Sequence, residues 1–151
     1  MAFPGVTRAT AVSVQFQRTC FACGVDNPHG LQLEFCFDPD GTATASWVPD
    51  IQWEGARGIV HGGIVTTLLD EAMAKATAAA GSKTMTADLR VRFHRYAKIG
   101  EVLQIRGWIV KYRKRLIETE ATVMAPDGSE RAHAWARFLV VTKSHAPAQA
   151  S

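Results

Sequence analysis

Hydrophobic and polar residues alternate through Leu31, Leu33, Phe35 and Phe37, stop at Asp38-Pro39-Asp40-Gly41, and resume from Thr42 to Val48. Period-two alternation broken by a Pro/Asp/Gly cluster predicts a β-hairpin. Between Ile64 and Ala80 the period lengthens, with Ile64, Leu68, Leu69, Ala72, Met73 and Ala76 recurring at three and four residues. That spacing predicts a helix, and Gly81-Ser82 supplies its stop. The helix is apolar around most of its circumference, with Glu71 and Lys75 as one i, i+4 pair, so it needs cover on several sides. Four strand-like segments follow, roughly 85–96, 101–111, 116–124 and 131–141, with Pro126-Asp127-Gly128 as a second tight turn. Before Leu31 no period holds. Residues 1–30 read as an irregular lead-in with room for one short helix, and residues 144–151 as a flexible tail.

One long helix followed by an antiparallel meander is an α+β arrangement. A strongly curved antiparallel sheet wrapped around one long central helix, the hotdog architecture, satisfies both the strand pattern and the helix's need for cover, and other α+β folds with a single helix fit the same pattern. With 151 residues, 47% hydrophobic and 21% charged, the chain has material for one core, placed at residues 31–143. A net charge of +3 is too mild for a dedicated nucleic-acid binder but suits a phosphorylated small molecule. No apolar run reaches membrane-spanning length and the N-terminal residues lack a secretory pattern, so a cytoplasmic location with reduced thiols at Cys20, Cys23 and Cys36 is expected.

The chemistry concentrates in His61-Gly62-Gly63, which opens the helix carrying Asp70. Together with Cys20-Phe-Ala-Cys23-Gly24, Asn27-Pro28-His29-Gly30-Leu31 and Met85-Thr86-Ala87-Asp88-Leu89, this resembles the HGG-type hotdog thioesterases, the branch of the phenylacetate-degradation and mammalian thioesterase-superfamily proteins. The resemblance spans nearly the whole chain. It implies hydrolysis of an acyl-CoA thioester, with a medium, long or aryl acyl group, by Asp70 acting as general base or nucleophile. Thr86 occupies the position of a threonine that assists the acid in the mammalian members. One departure is Gly55, where many members carry an Asn or Gln six residues before the histidine.

The residues themselves support these roles. Glycines at a helix start expose N–H groups without intrahelical partners and let a carbonyl approach closely, so Gly62 and Gly63 are oxyanion candidates, although close packing alone could also require them. His61 suits orienting the loop or substrate better than binding metal, since no second ligand stands at metal spacing. An acid among apolar residues, as Asp70 is, costs stability unless paired or used. Asp70 lies seven residues beyond Gly63, roughly 10 Å along one helix, so the two cannot share a carbonyl unless they come from two chains related by a two-fold axis. A homodimer with interfacial sites is therefore expected, and the resemblance also admits a dimer of dimers.

Two basic groups are candidates for the phosphates of coenzyme A: Arg90, Arg92, His94 and Arg95 on one strand, and Arg113 with Lys114 at a turn. Trp47, Trp53, Phe93 and Trp108 could line an acyl tunnel or fill the core. Cys20-x-x-Cys23 with His29 and Cys36 lacks compact zinc-finger spacing, and its recurrence in the resembled family favours a structural lead-in, so no metal is expected and no cofactor beyond the coenzyme A of the substrate. Two other readings keep the fold: a non-catalytic acyl-CoA-binding protein, and a dehydratase or hydratase acting on acyl thioesters.

Overall fold

The computed structural model describes residues 18–141. The expected tail from Ser144, the end of the expected domain and the first part of the lead-in lie outside them. Among the described residues the strands are β1 (Cys36–Phe37), β2 (Ala43–Trp47), β3 (Thr84–Phe93), β4 (Leu103–Arg113), β5 (Leu116–Met124) and β6 (Glu130–Val140), with one long helix, α1 (Gly62–Ala79). They form one sheet of order β1-β2-β4-β5-β6-β3 in which every neighbouring pair is antiparallel. This is the expected α+β arrangement of a sheet wrapped around a helix.

The helix is seated by small residues. Gly107 of β4 lies against the backbone of Ala72 and Met73, so closely that a Cβ there would fall 2.4 Å from Ala72 C. On β6 the inward positions Ala132, Ala134 and Ala136 are buried without bulk, and Phe138 fills the space beyond them. Leu68, Leu69, Ala72 and Met73 of α1 meet Leu103, Ile105, Ile117 and Val123 in the core. No residue from Ile64 to Ala79 is fully exposed, as the all-round apolar pattern requires.

Both expected turns form. Gly41 (φ +85) and Gly128 (φ +82) adopt the left-handed backbone that glycine tolerates, and Gly81 (φ +84) follows the C-terminus of α1. Two expectations are corrected. The run from Leu31 to Phe37 pairs as a strand only at Cys36–Phe37, because Gln32 takes a left-handed φ of 51° and Leu31 and Leu33 give their N–H groups to Phe21 and Ala22 of the lead-in. Residues 18–30, the described part of the lead-in, form successive turns, and Ala22 joins Leu31 and Leu33 in the core. Strand β3 ends at Phe93 instead of Tyr96, since the N–H groups of His94 and Arg95 both turn to the Arg131 carbonyl.

Candidate active site

The approach to α1 is held by short backbone bonds. His61 N–H donates to Trp53 O, Val60 N–H to Ala97 O and Gly55 N–H to Ile59 O, at 2.9, 2.9 and 2.8 Å. Gly55 passes beside His61 so that a Cβ at 55 would lie 3.0 Å from His61 Cα. The departure from the resembled pattern thus has a local cause: a side chain at 55 would press on the histidine backbone.

His61 is the N-cap of α1. Its carbonyl accepts from Ile64 and Val65, and its Nδ1 accepts the Gly63 N–H at 2.9 Å. A neutral ring in this role carries its proton on Nε2. The two glycines expected to act alike are therefore different. The Gly63 N–H is engaged by His61, whereas the Gly62 N–H has no partner among the described residues and carries the positive end of the helix dipole. Gly62 borders a cavity of about 380 Å³ whose walls include Val65, Phe93, Arg95 and Tyr96.

Two turns along α1, Asp70 is part-buried and accepts a hydrogen bond from Thr86 Oγ1 of β3 at 2.8 Å. Burial pushes its carboxyl above the ordinary value of 3.8; the Thr86 bond opposes that rise, and the neighbouring Glu71 charge adds to it. An acid made less acidic by part-burial and oriented by one directed hydroxyl is suited to accept a proton or attack an electrophilic carbon.

The basic candidates separate. His94 and Arg95 border the Gly62 cavity, His94 also facing Glu130 at 3.2 Å. Arg90 and Arg92 project from the opposite face of β3, where Arg90 lies over the Trp135 ring at 5.3 Å. Arg113 is paired with Glu118 at 2.7 Å, and Lys114 sits in the β4–β5 turn at φ 51°. Within one chain the structure therefore does not bring Arg90, Arg92, Arg113 or Lys114 to Gly62. Of the four aromatic candidates only Phe93 borders the cavity; Trp47 and Trp53 pack against the core, and Trp108 lies against His133 on the outer face.

Sequence reasoning missed two features. Arg131, buried and bonded to Glu101 at 2.6 Å, supports the bend after Phe93 through its carbonyl and borders the cavity. Glu71 and Lys75, expected as one i, i+4 pair, do pair at 3.2 Å but lie under the lead-in, Lys75 buried and Glu71 part-buried, where Lys75 Nζ donates to Cys23 Sγ at 3.0 Å. Burial and then the bond to Glu71 push the Cys23 thiol up to about 12. Neither the Arg131–Glu101 pairing nor the Lys75–Cys23 contact is visible from local spacing.

A family model described as "Thioesterase superfamily" matches residues 57–132, the segment from the loop before α1 to the start of β6. No curated protein matches the chain in sequence. Among solved structures, a protein described as a thioesterase superfamily protein is 28% identical with a TM-score of 0.77, over 81% of this chain and 60% of its own, so the chain spans well under two thirds of that protein. A Streptococcus mutans protein solved bound to acetyl-CoA is 20% identical with a TM-score of 0.69, covering 72% of this chain and 88% of that one. The PaaI protein of the E. coli phenylacetic acid degradation operon is 17% identical with a TM-score of 0.70, covering 74% of this chain and 81% of that one. The last two share the fold. Among the described residues no helix is long and apolar enough to cross a membrane.

Proposed function

Because the chain belongs to the thioesterase superfamily, we propose that it hydrolyses acyl-CoA thioesters as a homodimer, Asp70 of one protomer acting on a carbonyl held at Gly62 of the other. The observation that carries this reading is the Thr86-held, part-buried Asp70 on the same helix whose first N–H, at Gly62, is open to a cavity.

In this reading the thioester oxygen accepts the Gly62 N–H and gains stabilisation as negative charge develops on it; one such donor is worth about 10²–10³ in rate. Asp70 takes a proton from water as the water oxygen bonds to the carbonyl carbon, or its carboxylate bonds there first. The C–S bond then breaks and the thiolate leaves, taking up the proton that Asp70 accepted; where the carboxylate attacked first, water then hydrolyses the acyl-Asp70 anhydride to the free acid and returns the carboxylate. Thr86 keeps one carboxylate oxygen engaged, so the other is the reacting one. The part-burial that raises the carboxyl's pKa brings its basicity closer to what proton transfer near neutral pH requires.

The helix supplies the case for two chains. Asp70 stands seven residues past Gly63, roughly 10 Å along the axis, too far for both to touch one carbonyl within a chain. Among the described residues strand β3 is paired only with β6, and its outer edge from Thr84 to Phe93 is open, with Met85 and Phe93 exposed. Pairing of two such edges about a two-fold axis would set the two helices antiparallel and create two equivalent sites. His94 and Arg95 at the cavity rim then take the phosphates of coenzyme A, and Phe93 and Tyr96 face the acyl group or its pantetheine arm. The acetyl-CoA bound by the Streptococcus mutans relative is consistent with such a ligand.

Thiol release from short, medium, long and aryl acyl-CoAs, wild type beside Asp70→Asn, tests the proposal. Turnover of at least one thioester that falls about 10²-fold or more in the variant supports it. Acyl-CoA binding without turnover in either protein would replace hydrolysis with ligand binding.

A further inference from the structure

The part-buried cluster beneath the lead-in is not used by this chemistry. We propose that Cys20, Cys23 and Glu71 form a site for zinc, or another thiophilic divalent cation, that ties the lead-in to α1. The sulfurs and a carboxylate oxygen of these three residues lie within 4.8 Å of one another. Two thiolates and one carboxylate are a donor set suited to zinc, with water completing four ligands. Zinc bonds of about 2.0–2.3 Å place tetrahedral ligands roughly 3.3–3.8 Å apart, so closure needs side-chain movements on the order of an ångström.

Local structure aims the donors. Gly24 N–H donates to Cys20 O at 2.8 Å, and a Cβ at Gly24 would lie 2.4 Å from Cys20 N, so the turn that gathers the two sulfurs accepts only glycine. Glu71 is fixed on the helix at 14% side-chain exposure, directly under that turn.

Binding one M²⁺ to the two sulfurs as thiolates, with their two protons released to solvent, exchanges two positive charges for two and leaves the net charge of the cluster unchanged, so part-burial resists it less than it would an uncompensated charge. Lys75, 7% exposed and 3.0 Å from Cys23 Sγ, stays outside the ligand shell and donates to the thiolate, the kind of outer contact that orients metal-bound sulfur. The two cysteines and the glutamate belong to separate parts of the sequence, which is why the Cys-x-x-Cys spacing alone gives no complete donor set.

The test uses the full-length chain, fully reduced. Wild type is expected to retain about one zinc per chain after dialysis into metal-free buffer, and to take up cobalt(II) with the sulfur-to-metal charge-transfer band of thiolate ligation. Cys20→Ser/Cys23→Ser is expected to abolish both. Glu71→Gln is expected to keep the band and to weaken binding by roughly 10-fold or more. Cobalt titration of wild type decides the matter even if a variant folds poorly: absence of the band with excess cobalt overturns the site. So does zinc retained by the double cysteine variant, or a Glu71→Gln protein with unchanged affinity and spectrum. Catalytic activity plays no part in these readouts, so the site and the proposed hydrolysis fail or stand separately.

Discussion

Thr86 Oγ1 donates to Asp70 Oδ1 at 2.8 Å, joining the start of strand β3 to the middle of the central helix. The bond favours the charged carboxylate, while burial disfavours it more. Activity that needs the carboxylate rises with pH along a limb set by an apparent pKa above 3.8. Thr86→Val removes the bond that lowers this pKa, so the limb moves to higher pH, and Thr86→Ser restores it. A pH profile of kcat/KM for the three proteins checks this; an unmoved limb in Thr86→Val contradicts it.

The same shift fixes a stability effect. Asp70 binds its proton more tightly folded than unfolded, so between 3.8 and its raised folded value the native state holds more protons and stability falls as pH rises. Above that window the cost of the buried charge is fully present; below 3.8 it is gone. Asp70→Asn therefore melts higher than wild type at pH 7, and the two converge in acid. Thermal unfolding across pH reads the difference, and an Asn variant less stable at pH 7 contradicts it.

Gly62→Pro separates the N–H from the fold. Gly62 is the first helical residue, where proline is well accepted, and His61 already has φ −56° and ψ 132°, which suits a residue before proline. A side chain there meets Phe93 only at 3.7 Å, an ordinary contact. The variant should fold with a Tm near that of wild type and lose about 10²–10³ in kcat, the value of one oxyanion donor. Unchanged turnover would remove Gly62 from the chemistry.

Gly107→Ala tests how α1 is seated. Its Cβ would stand 2.5 Å from Ala72 O, a backbone atom that cannot turn aside. Overpacking of this kind costs about 1–3 kcal/mol, and at roughly 2–4 °C per kcal/mol for a chain of this size Tm falls measurably. A melting curve superimposable on wild type contradicts the packing described.

The long helix, both expected tight turns and five of the strands, β2 to β6, were legible because each carries a sustained period or a turn residue. Asp70 and His61 were legible because the motif places them in fixed register on that helix. Gly107 was not, since its value lies in the absence of a side chain opposite a helix 34 residues earlier in sequence. The Gly62 and Gly63 amides looked equivalent in sequence and differ only because His61 folds back onto one of them. Leu31 to Phe37 alternates as a strand does, yet Gln32 breaks it because the lead-in backbone takes up Leu31 and Leu33. The burial of Glu71 and Lys75 depends on a loop some fifty residues away, beyond the reach of helical periodicity.

Complementation between two inactive chains tests the central claim most directly. Each site is proposed to take Gly62 from one protomer and Asp70 from the other. Gly62→Pro and Asp70→Asn homodimers are then both inactive, but a heterodimer of the two contains one intact site. Unfolding and refolding an equal mixture distributes chains statistically, and acyl-CoA turnover should recover to about one quarter of wild type for a two-fold dimer. Recovery at that level supports a site shared between chains. A mixture as inactive as its components, with heterodimers demonstrated by mass, contradicts it.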